Sequence, residues 1–420
     1  MSQRASRTLE FESTRRASRQ PVKPVRQQAQ MHETRAGPAY PQVCSNTRSG
    51  NRWEDWLAQV CDECGVTIDG SAPADPQIHN RELARRAFTE GSMGLGEAYM
   101  EGWWDCEALD ELATRAMRAS IDQKIENKAR LVVEIAKARV FNFQKKSRAF
   151  QVGEKHYDTG NDLFEIMLDP TMSYSCGYWK GASNLHEAQV NKLDLVCRKL
   201  QLEKGMKLLD IGSGWGGLAE HAARNYGVEV LGVTVSKEQA ALATERCRGL
   251  PIEFRLQDYR DLTGQFDRIV SVGMFEHVGI KNYLTYMQKC HSLLGNNGLF
   301  VLHTIGTNRT HDLVDPWIKK YIFPNGKLPS LNQLSSAYES YFVLEDLHNF
   351  GPDYDLTLME WHRRVKDGWV KLSDRYSHEF YRMWEYYLKV CAASFRSREN
   401  QLWQLVLSKP DGSVRYDSPR

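Results

Sequence analysis

Residues 208–217 read LLDIGSGWGG, with glycines at the alternate positions Gly212, Gly214 and Gly216. The segment follows a short apolar run and precedes a helical pattern, which predicts a turn from a strand into a helix. Glycines at such a turn let the backbone bend tightly and approach a bound molecule closely. Open α/β sheets bind ligands at this edge, so the segment predicts a nucleotide-type site. The Gly-x-Gly-x-Gly spacing and the preceding Asp210 differ from the Gly-x-Gly-x-x-Gly fingerprint of dinucleotide enzymes.

Residue types suited to acid–base chemistry are spread over four further segments, and aromatic side chains accompany them. The segments are 156–162 (HYDTGND), 172–179 (MSYSCGYW), 273–279 (GMFEHVG) and 303–306 (HTIG). The last two adjoin predicted strand ends, so we expect Glu276 and His303 to lie beside the glycine turn (residues 212–217) at one edge of the sheet. A carboxyl group and an imidazole together can act as a general acid–base pair.

The glycine turn resembles motif one of the S-adenosylmethionine-dependent methyltransferases, which implies S-adenosyl-L-methionine as the methyl donor. Two later loops are expected to complete the pocket. No carboxylate for the ribose follows the second strand, so Thr234 and Gln239 are candidates, although Ser236 and Gln239 also fit a simple helix cap. After the third strand, Asp258 could accept from the adenine amino group and Tyr259 could stack on the ring; a solvated acidic loop is the alternative for Asp258. The predicted cofactor-binding residues are Tyr174, Ser175, Asp210, Gly212, Gly214, Trp215, Gly216, Gly217, Thr234, Gln239, Asp258 and Tyr259.

The elements that position these residues alternate between strand and helix. Alternation of this kind predicts an α/β fold, a parallel sheet with helices on both faces. The predicted strands are 206–211, 228–233, 252–256, 266–272 and 299–303, followed by an antiparallel edge strand at 402–407. Predicted helices include 216–226, 236–248 and the long apolar-striped segment 375–396, and a mainly helical region precedes the sheet with helices at 53–64, 81–90, 108–119 and 122–141 and a glycine-rich loop at 91–105.

Composition limits the class of protein. The chain has 420 residues, 41% hydrophobic and 26% charged, which is ordinary for a soluble globular protein of about two domains. It contains no apolar run of about 18 residues, and its start does not have the pattern of a secretory signal. The nine cysteines include only one close pair, Cys61-x-x-Cys64, so no metal site is predicted. We expect reduced thiols and a cytoplasmic protein.

The first 50 residues differ from the rest. They contain nine Lys and Arg against three Asp and Glu, a net charge of +6, whereas the remainder has a net charge of −4. We predict a disordered basic tail at 1–50, a small helical N-terminal domain for lipid or membrane docking at 51–143, a linker at 144–150 and a catalytic domain at 151–420. The tail could be attracted to an anionic surface, lipid or nucleic acid, or it could be an unselected solvated segment.

Seven segments together identify a family. HYDTGNDLF, MSYSCGYW, LLDIGSGWGG, MFEHVG, LHTIG, WIKKYIFPNG and HNFGPDYDLTL resemble the cyclopropane fatty acid synthases, and the resemblance spans roughly residues 51–410. It implies a class I methyltransferase domain, with a Rossmann-like fold, that transfers a methyl group to the cis double bond of an unsaturated phospholipid acyl chain. It further implies a homodimer, peripheral at the inner face of the membrane.

The resemblance also implies how the ring closes. Methyl transfer leaves a carbocation, and a bound bicarbonate ion removes the final proton. Residues that match its ligands are Cys176, Glu276, His303, Tyr354 and the backbone of Ile305. Family assignments that make a C-terminal cysteine the nucleophile point to Cys391, so the catalytic candidates are Cys176, Glu276, His303, Tyr354 and Cys391. Cys391 also falls on the apolar stripe of its predicted helix, which favours a buried structural thiol.

Aromatic rings would stabilise a carbocation and exclude water. Candidates for such a lining are Tyr174, Tyr178, Trp179, Phe275 and Tyr321, for each of which core packing is an equal alternative. Similarly, the apolar residues of 93–104 could dock on a membrane or pack the two domains together.

Two rival functions remain. One is a related methyltransferase that makes methyl-branched or hydroxylated acyl chains or methylates a small amine. The other is a nucleic-acid-binding protein, suggested by the basic tail; the net negative charge of residues 51–420 argues against it, so we expect no nucleic-acid partner.

Overall fold

The computed structural model describes residues 52–121, 160–310, 314–413 and 415–420. The predicted basic tail, the linker at 144–150 and the predicted helix at 122–141 lie outside these residues, as do residues 156–159 of the HYDTGND segment. Elements are numbered below over the described part of the chain.

Seven strands form one mixed sheet, which confirms the predicted α/β fold. Its order is β5-β4-β3-β6-β7-β9-β8; the first five strands in this order are parallel to one another, and β9 is antiparallel to both β7 and β8. The strands are β1 Gln77–Ile78, β2 Trp104–Asp105, β3 Lys207–Ile211, β4 Glu229–Thr234, β5 Ile252–Leu256, β6 Phe266–Val272, β7 Leu294–Thr307, β8 Val343–Asn349 and β9 Asn400–Ser408; β1 and β2 form a separate small antiparallel pair.

Helices cover both faces of the sheet and also form the N-terminal part of the described chain. They are α1 Arg52–Glu63, α2 Leu83–Glu90, α3 Ser92–Met100, α4 Leu109–Arg118, α5 Asn161–Met167, α6 Leu185–Lys199, α7 Gly217–Tyr226, α8 Lys237–Arg246, α9 Tyr283–Leu293, α10 Pro316–Tyr321, α11 Leu331–Tyr338, α12 Pro352–Gly368 and α13 His378–Arg396.

The central strands carry apolar side chains on both faces because both faces are covered. Leu208 packs with α6 and α7, whereas its neighbour Leu209 packs on the opposite face with α9. Val301 and Phe300 divide in the same way on β7. Successive side chains of a strand point to opposite faces, so a strand buried on both faces appears in the sequence as an unbroken apolar run.

The prediction for the last strand is half wrong. β9 is antiparallel, as expected, but it lies between β7 and β8 and is not an edge strand. The edge strand is β8, which the sequence did not indicate because most of its side chains are exposed or half-buried. Pairing with β9 forms β8, and a bulge between Leu344 and Asp346 interrupts the register.

The predicted loop at 91–105 is also wrong, because its first half is helix α3. Gly94 and Gly96 weaken an isolated helix, but here close packing requires them. A Cβ atom on Gly96 would lie 2.5 Å from Cδ1 of Trp317, a fully buried residue of α10. The glycine pattern therefore marks a helix that another element approaches closely.

The N-terminal helices share a core with the sheet-containing part. α3 and α4 pack against α13, and Tyr99, Met100 and Trp104 are buried in the same cluster as Trp384. Arg382 of α13 forms an ion pair with Asp105 at 2.7 Å. This packing supports the alternative in which the apolar residues of 93–104 join the two parts, and the domain boundaries remain a prediction. None of the described helices has the length and apolar character needed to cross a bilayer.

We predict that Gly96→Ala destabilises the protein by about 1–3 kcal/mol, because an added methyl in a close-packed interior forces its neighbours apart. The free energy of unfolding in urea measures it. The control is the same change in a Trp317→Leu background, in which the clash is relieved and the two effects should not add. Simple additivity of the two changes would contradict the packing explanation for α3.

Candidate active site

The glycine turn has the backbone conformation that its spacing predicts. Gly212, Gly214 and Gly216 have φ angles of +87°, +53° and +85°, a left-handed region that suits glycine. The amides of Gly212 and Ser213 both donate to the carbonyl of Val233, at 2.9 and 3.1 Å, which fixes the turn against β4. The turn therefore leaves β3 and enters α7 at a defined angle.

A cavity of about 190 Å³ opens beyond the carboxyl ends of β3, β4 and β6. We call it the cofactor cavity. The predicted cofactor residues that line it are Tyr174, Ser175, Asp210, Gly212, Gly214, Trp215, Gly217, Thr234, Gln239, Asp258 and Tyr259. Gly216 is not in the lining. A Cβ atom at Gly216 would lie 2.9 Å from Phe254 of β5, so glycine is needed there for packing against that strand.

Asp210 is the charged residue closest to the turn. Its side chain is buried, and Oδ2 has no hydrogen-bond partner. Burial raises the pKa of this carboxyl to about 7, although the nearby Lys192 opposes the shift. An unpartnered buried oxygen at the cavity wall is suited to a cationic or hydrogen-donating group of a ligand.

The second and third loops are more tightly bonded than the sequence indicated. Thr234 Oγ1 donates to Gln239 Oε1 at 2.8 Å, and Ser236 caps α8, so the helix cap is present. A role of Thr234 and Gln239 at the ribose stays a prediction. Asp258 is buried and forms a bidentate ion pair with Arg260, whose Nε donates to Oδ1 at 2.8 Å and whose Nη2 donates to Oδ2 at 2.6 Å. The alternative of a solvated acidic loop at Asp258 is therefore wrong.

The segment before Cys176 lies directly on the start of α7. A Cβ atom on Gly217 would be 2.1 Å from the carbonyl oxygen of Thr171, so only glycine allows this approach. The Tyr174 hydroxyl is 2.8 Å from that of Tyr387 on α13. These contacts hold Tyr174 and Ser175 over the glycine turn.

Glu276 lies in a short 3-10 turn after β6, between the cavity-lining residues Met274 and His277. Its Oε1 accepts from the Ile305 amide at 2.7 Å, and its Oε2 is buried without a partner. Burial raises the pKa of Glu276 to about 7, although the Ile305 bond opposes the shift. This carboxyl is therefore poised to exchange a proton near neutral pH.

His303 lies on β7, paired with Val272 of β6. Gln404 Nε2 donates to its Nδ1 at 3.1 Å, which places the proton of the neutral ring on Nε2. Nε2 is buried and has no partner. Burial lowers the pKa of His303 well below its usual value, so the ring is a neutral donor.

The two cysteines are both protonated thiols at neutral pH. Cys176 is fully buried, with Sγ 3.1 Å from the carbonyl of Gly177, and burial raises its pKa well above the usual value. Cys391 is half-buried, and its desolvation raises the pKa to about 12. A thiol needs to ionise to be a nucleophile, so the environment of Cys391 fits the structural alternative.

Tyr354 connects these groups electrostatically. Burial raises the pKa of its hydroxyl strongly, and the acidic groups Cys176, Tyr174 and Glu276 raise it further. Its ring packs on Phe395 at 4.6 Å. The five catalytic candidates and Ile305 lie outside the lining of the cofactor cavity.

The proposed aromatic lining is only partly present. Tyr174 lines the cofactor cavity, but Phe275 stacks on Tyr283 at 4.3 Å inside the core. The Tyr321 hydroxyl donates to Glu97 of α3 at 2.9 Å. Phe275 and Tyr321 are therefore explained by packing and by an inter-element hydrogen bond.

Sequence reasoning missed three polar residues of the site. Lys192 and Arg260 line the cofactor cavity, and Gln404 sets the proton position of His303. Arg260 stands two residues after Asp258 and could have been paired with it from spacing. Lys192 gave no signal, since a lysine in an amphipathic helix is usually exposed.

Comparison with known proteins supports the resemblance. A family model described as mycolic acid cyclopropane synthetase matches residues 144–405. The cyclopropane-fatty-acyl-phospholipid synthase of Escherichia coli is 53% identical over 359 residues, which cover 86% of this chain and 94% of that protein. The tuberculostearic acid methyltransferase UfaA1 of Mycobacterium tuberculosis is 33% identical over 374 residues, 81% of this chain and 86% of that one.

A solved structure matches as well. The mycolic acid cyclopropane synthase CmaA1, complexed with SAH and CTAB, aligns with a TM-score of 0.59 and 32% identity, over 62% of this chain and 98% of that one. The class I methyltransferase fold and binding of S-adenosyl-L-methionine follow from these likenesses.

We predict that Gly214→Val abolishes binding of S-adenosyl-L-methionine, measured by calorimetry. The added side chain strains a left-handed position and points from the cavity wall, where no protein atom lies within 4 Å of a Cβ. Gly205→Val is the matched control, because Gly205 has φ +87° and equally free space but lies outside the cavity. Equal affinity loss in both variants would mean that strain, rather than the cavity, explains the effect.

We also predict that Glu276→Gln raises the melting temperature more at pH 8 than at pH 5. The wild-type carboxyl has a folded pKa of about 7, above its usual 4.5, so its ionisation destabilises the fold progressively as pH rises. At pH 8 the substitution should raise the free energy of unfolding by roughly 2–3 kcal/mol. The exposed Glu238, changed to Gln, is the control. A gain that is the same at both pH values would show that Glu276 ionises normally.

Proposed function

This chain belongs to the mycolic acid cyclopropane synthetase family, and we propose that it converts the cis double bond of an unsaturated phospholipid acyl chain into a cyclopropane ring. The observation that carries the proposal is a pair of buried atoms without partners, Glu276 Oε2 and His303 Nε2, on neighbouring strand ends. Both lie outside the lining of the cofactor cavity but next to it, since Glu276 stands between the lining residues Met274 and His277, and His303 pairs with the lining residue Val272.

S-adenosyl-L-methionine supplies an electrophilic methyl group. The alkene π electrons form the new carbon–carbon bond while the methyl–sulfur bond breaks, its electron pair stays on sulfur and S-adenosylhomocysteine leaves. The second alkene carbon then carries the positive charge. Loss of a proton from the added methyl then supplies the electrons that close the ring. An alkene is a weak nucleophile, so the cavity must hold the two reactants in close contact and in line.

Bicarbonate fits the pair as the base. A fully ionised Glu276 would repel an anion, but a carboxyl with a pKa of about 7 can share a proton with it. The neutral His303 offers its Nε2–H as a donor. The Ile305 amide already donates to Glu276, so it can reach the ion only if that carboxylate turns away. Cys176 and Tyr354 complete the proposed ion site.

The lipid substrate sets the location of the enzyme in this proposal. The acyl chain lies in a bilayer, so the enzyme works as a peripheral protein at the inner, cytoplasmic face of the membrane. The net positive charge of residues 1–50 would favour an anionic lipid surface. We also propose a homodimer, the assembly that the family resemblance implies.

We predict that expression in a host that makes unsaturated phospholipids gives acyl chains with one added CH2 and no remaining double bond, by mass spectrometry. Glu276→Gln should abolish this product, because the amide cannot share a proton with the ion in the same way.

Added bicarbonate should partly rescue Cys176→Ser in carbonate-depleted buffer, whereas Cys391→Ser should lose stability more than turnover. A product that keeps its double bond would favour methylene branching, and a folded but inactive Cys391→Ser would make that thiol catalytic.

A further inference from the structure

Lys192 is a buried charge that the proposed reaction does not use. It lies on α6 with 2% of its surface exposed, and it lines the cofactor cavity. Its ammonium donates to Ser175 Oγ at 3.1 Å. An ammonium group removed from water is strongly unfavourable unless other groups compensate for the lost hydration.

The protein itself compensates Lys192 only in part. Among the described residues no carboxylate oxygen lies within 4.0 Å of its Nζ, the distance that defines an ion pair. Asp169, the negative group with the largest influence on Lys192, is bonded to Thr171 and to His186. An ammonium has three hydrogens, and one of them has an acceptor in Ser175.

The cavity wall therefore presents opposite charges. Lys192 supplies a cation, and Asp210 supplies a carboxyl oxygen without a partner. The methionine end of S-adenosyl-L-methionine has the complementary pair, one carboxylate and one ammonium. Because Ser175 Oγ accepts from Lys192, its own hydroxyl hydrogen is available to an acceptor in the cavity.

We propose that Lys192 is the residue that selects the carboxylate of S-adenosyl-L-methionine, by its positive charge and by directing the Ser175 hydroxyl at that group. Burial lowers the pKa of Lys192 to about 8, and Asp169, Cys176 and Asp210 oppose the shift. A bound carboxylate would restore the favourable interaction that the ammonium lacks. Lys192 is a positioning residue for the donor and takes no part in proton transfer. The inference rests on this cavity being the donor site.

The test compares two ligands by calorimetry, S-adenosyl-L-methionine and its decarboxylated form, which keeps the sulfonium and the amine. The wild type should prefer the carboxylate ligand. Lys192→Met should weaken binding of S-adenosyl-L-methionine by at least ~10-fold, or about 1.4 kcal/mol. The same change should alter the affinity for the decarboxylated ligand by less than about threefold. Lys192→Arg should keep part of the preference.

Lys199→Met is the matched control. Lys199 is a buried lysine of the same helix, but its ammonium forms an ion pair with Asp346 at 3.0 Å and does not line the cavity. This change should lower stability and leave the ratio of the two affinities unchanged. If Lys192→Met does not fold, Ser175→Ala carries the test, since it should reduce the same ratio with Lys192 intact.

Two outcomes would overturn the inference. If Lys192→Met lowered the affinity for both ligands equally, Lys192 would be a structural anchor of the Ser175 segment. An unchanged ratio in Ser175→Ala would remove the route through that hydroxyl. A wild type that binds neither ligand would instead reject the cavity as the donor site, which separates failure of the inference from failure of its premise.

Discussion

Burial of polar side chains at the carboxyl edge of the sheet is the constraint on which the rest of the site depends. Asp210, Glu276 and His303 each keep an atom away from water without a hydrogen-bond partner. Leaving such an atom unsatisfied costs about 1–3 kcal/mol, so a flexible scaffold would turn these groups outward. The adjacent strands β3, β6 and β7 prevent this, since both faces of each are covered by apolar packing.

Close backbone contacts join the donor cavity to the acid–base pair. A Cβ atom on Gly212 would lie 2.7 Å from Cβ of Met274, two residues before Glu276. Glu276 in turn binds the amide of Ile305, two residues after His303. The glycine turn, the Glu276 segment and the Ile305 amide are therefore linked by a continuous series of contacts, so the proposed donor site and the proposed base site are built on one frame.

The sequence predicted the parts of the fold that depend on local pattern. The strands at 252–256 and 266–272 have the predicted bounds, because turn residues flank each of them. Tertiary contacts decided the rest: Gly96 allows a helix because Trp317 packs against it, and β8 exists because β9 pairs with it. The site followed the same division, since motif spacing indicated the glycine turn, whereas the burial of Lys192 depends on how α6 packs.

The protonation states of the site suit reactants that would combine with any strong nucleophile nearby. A sulfonium methyl and a carbocation react with any ionised thiol, phenolate or free amine in reach, so such groups near the reactants must be kept in unreactive forms. Burial does this for Cys176, Cys391 and Tyr354, whose pKa values are all raised. His303 is neutral with its basic Nδ1 occupied by Gln404. Glu276, with a pKa of about 7, can give and take a proton near neutral pH, so the desolvation that opposes its ionisation also suits the base site proposed for it.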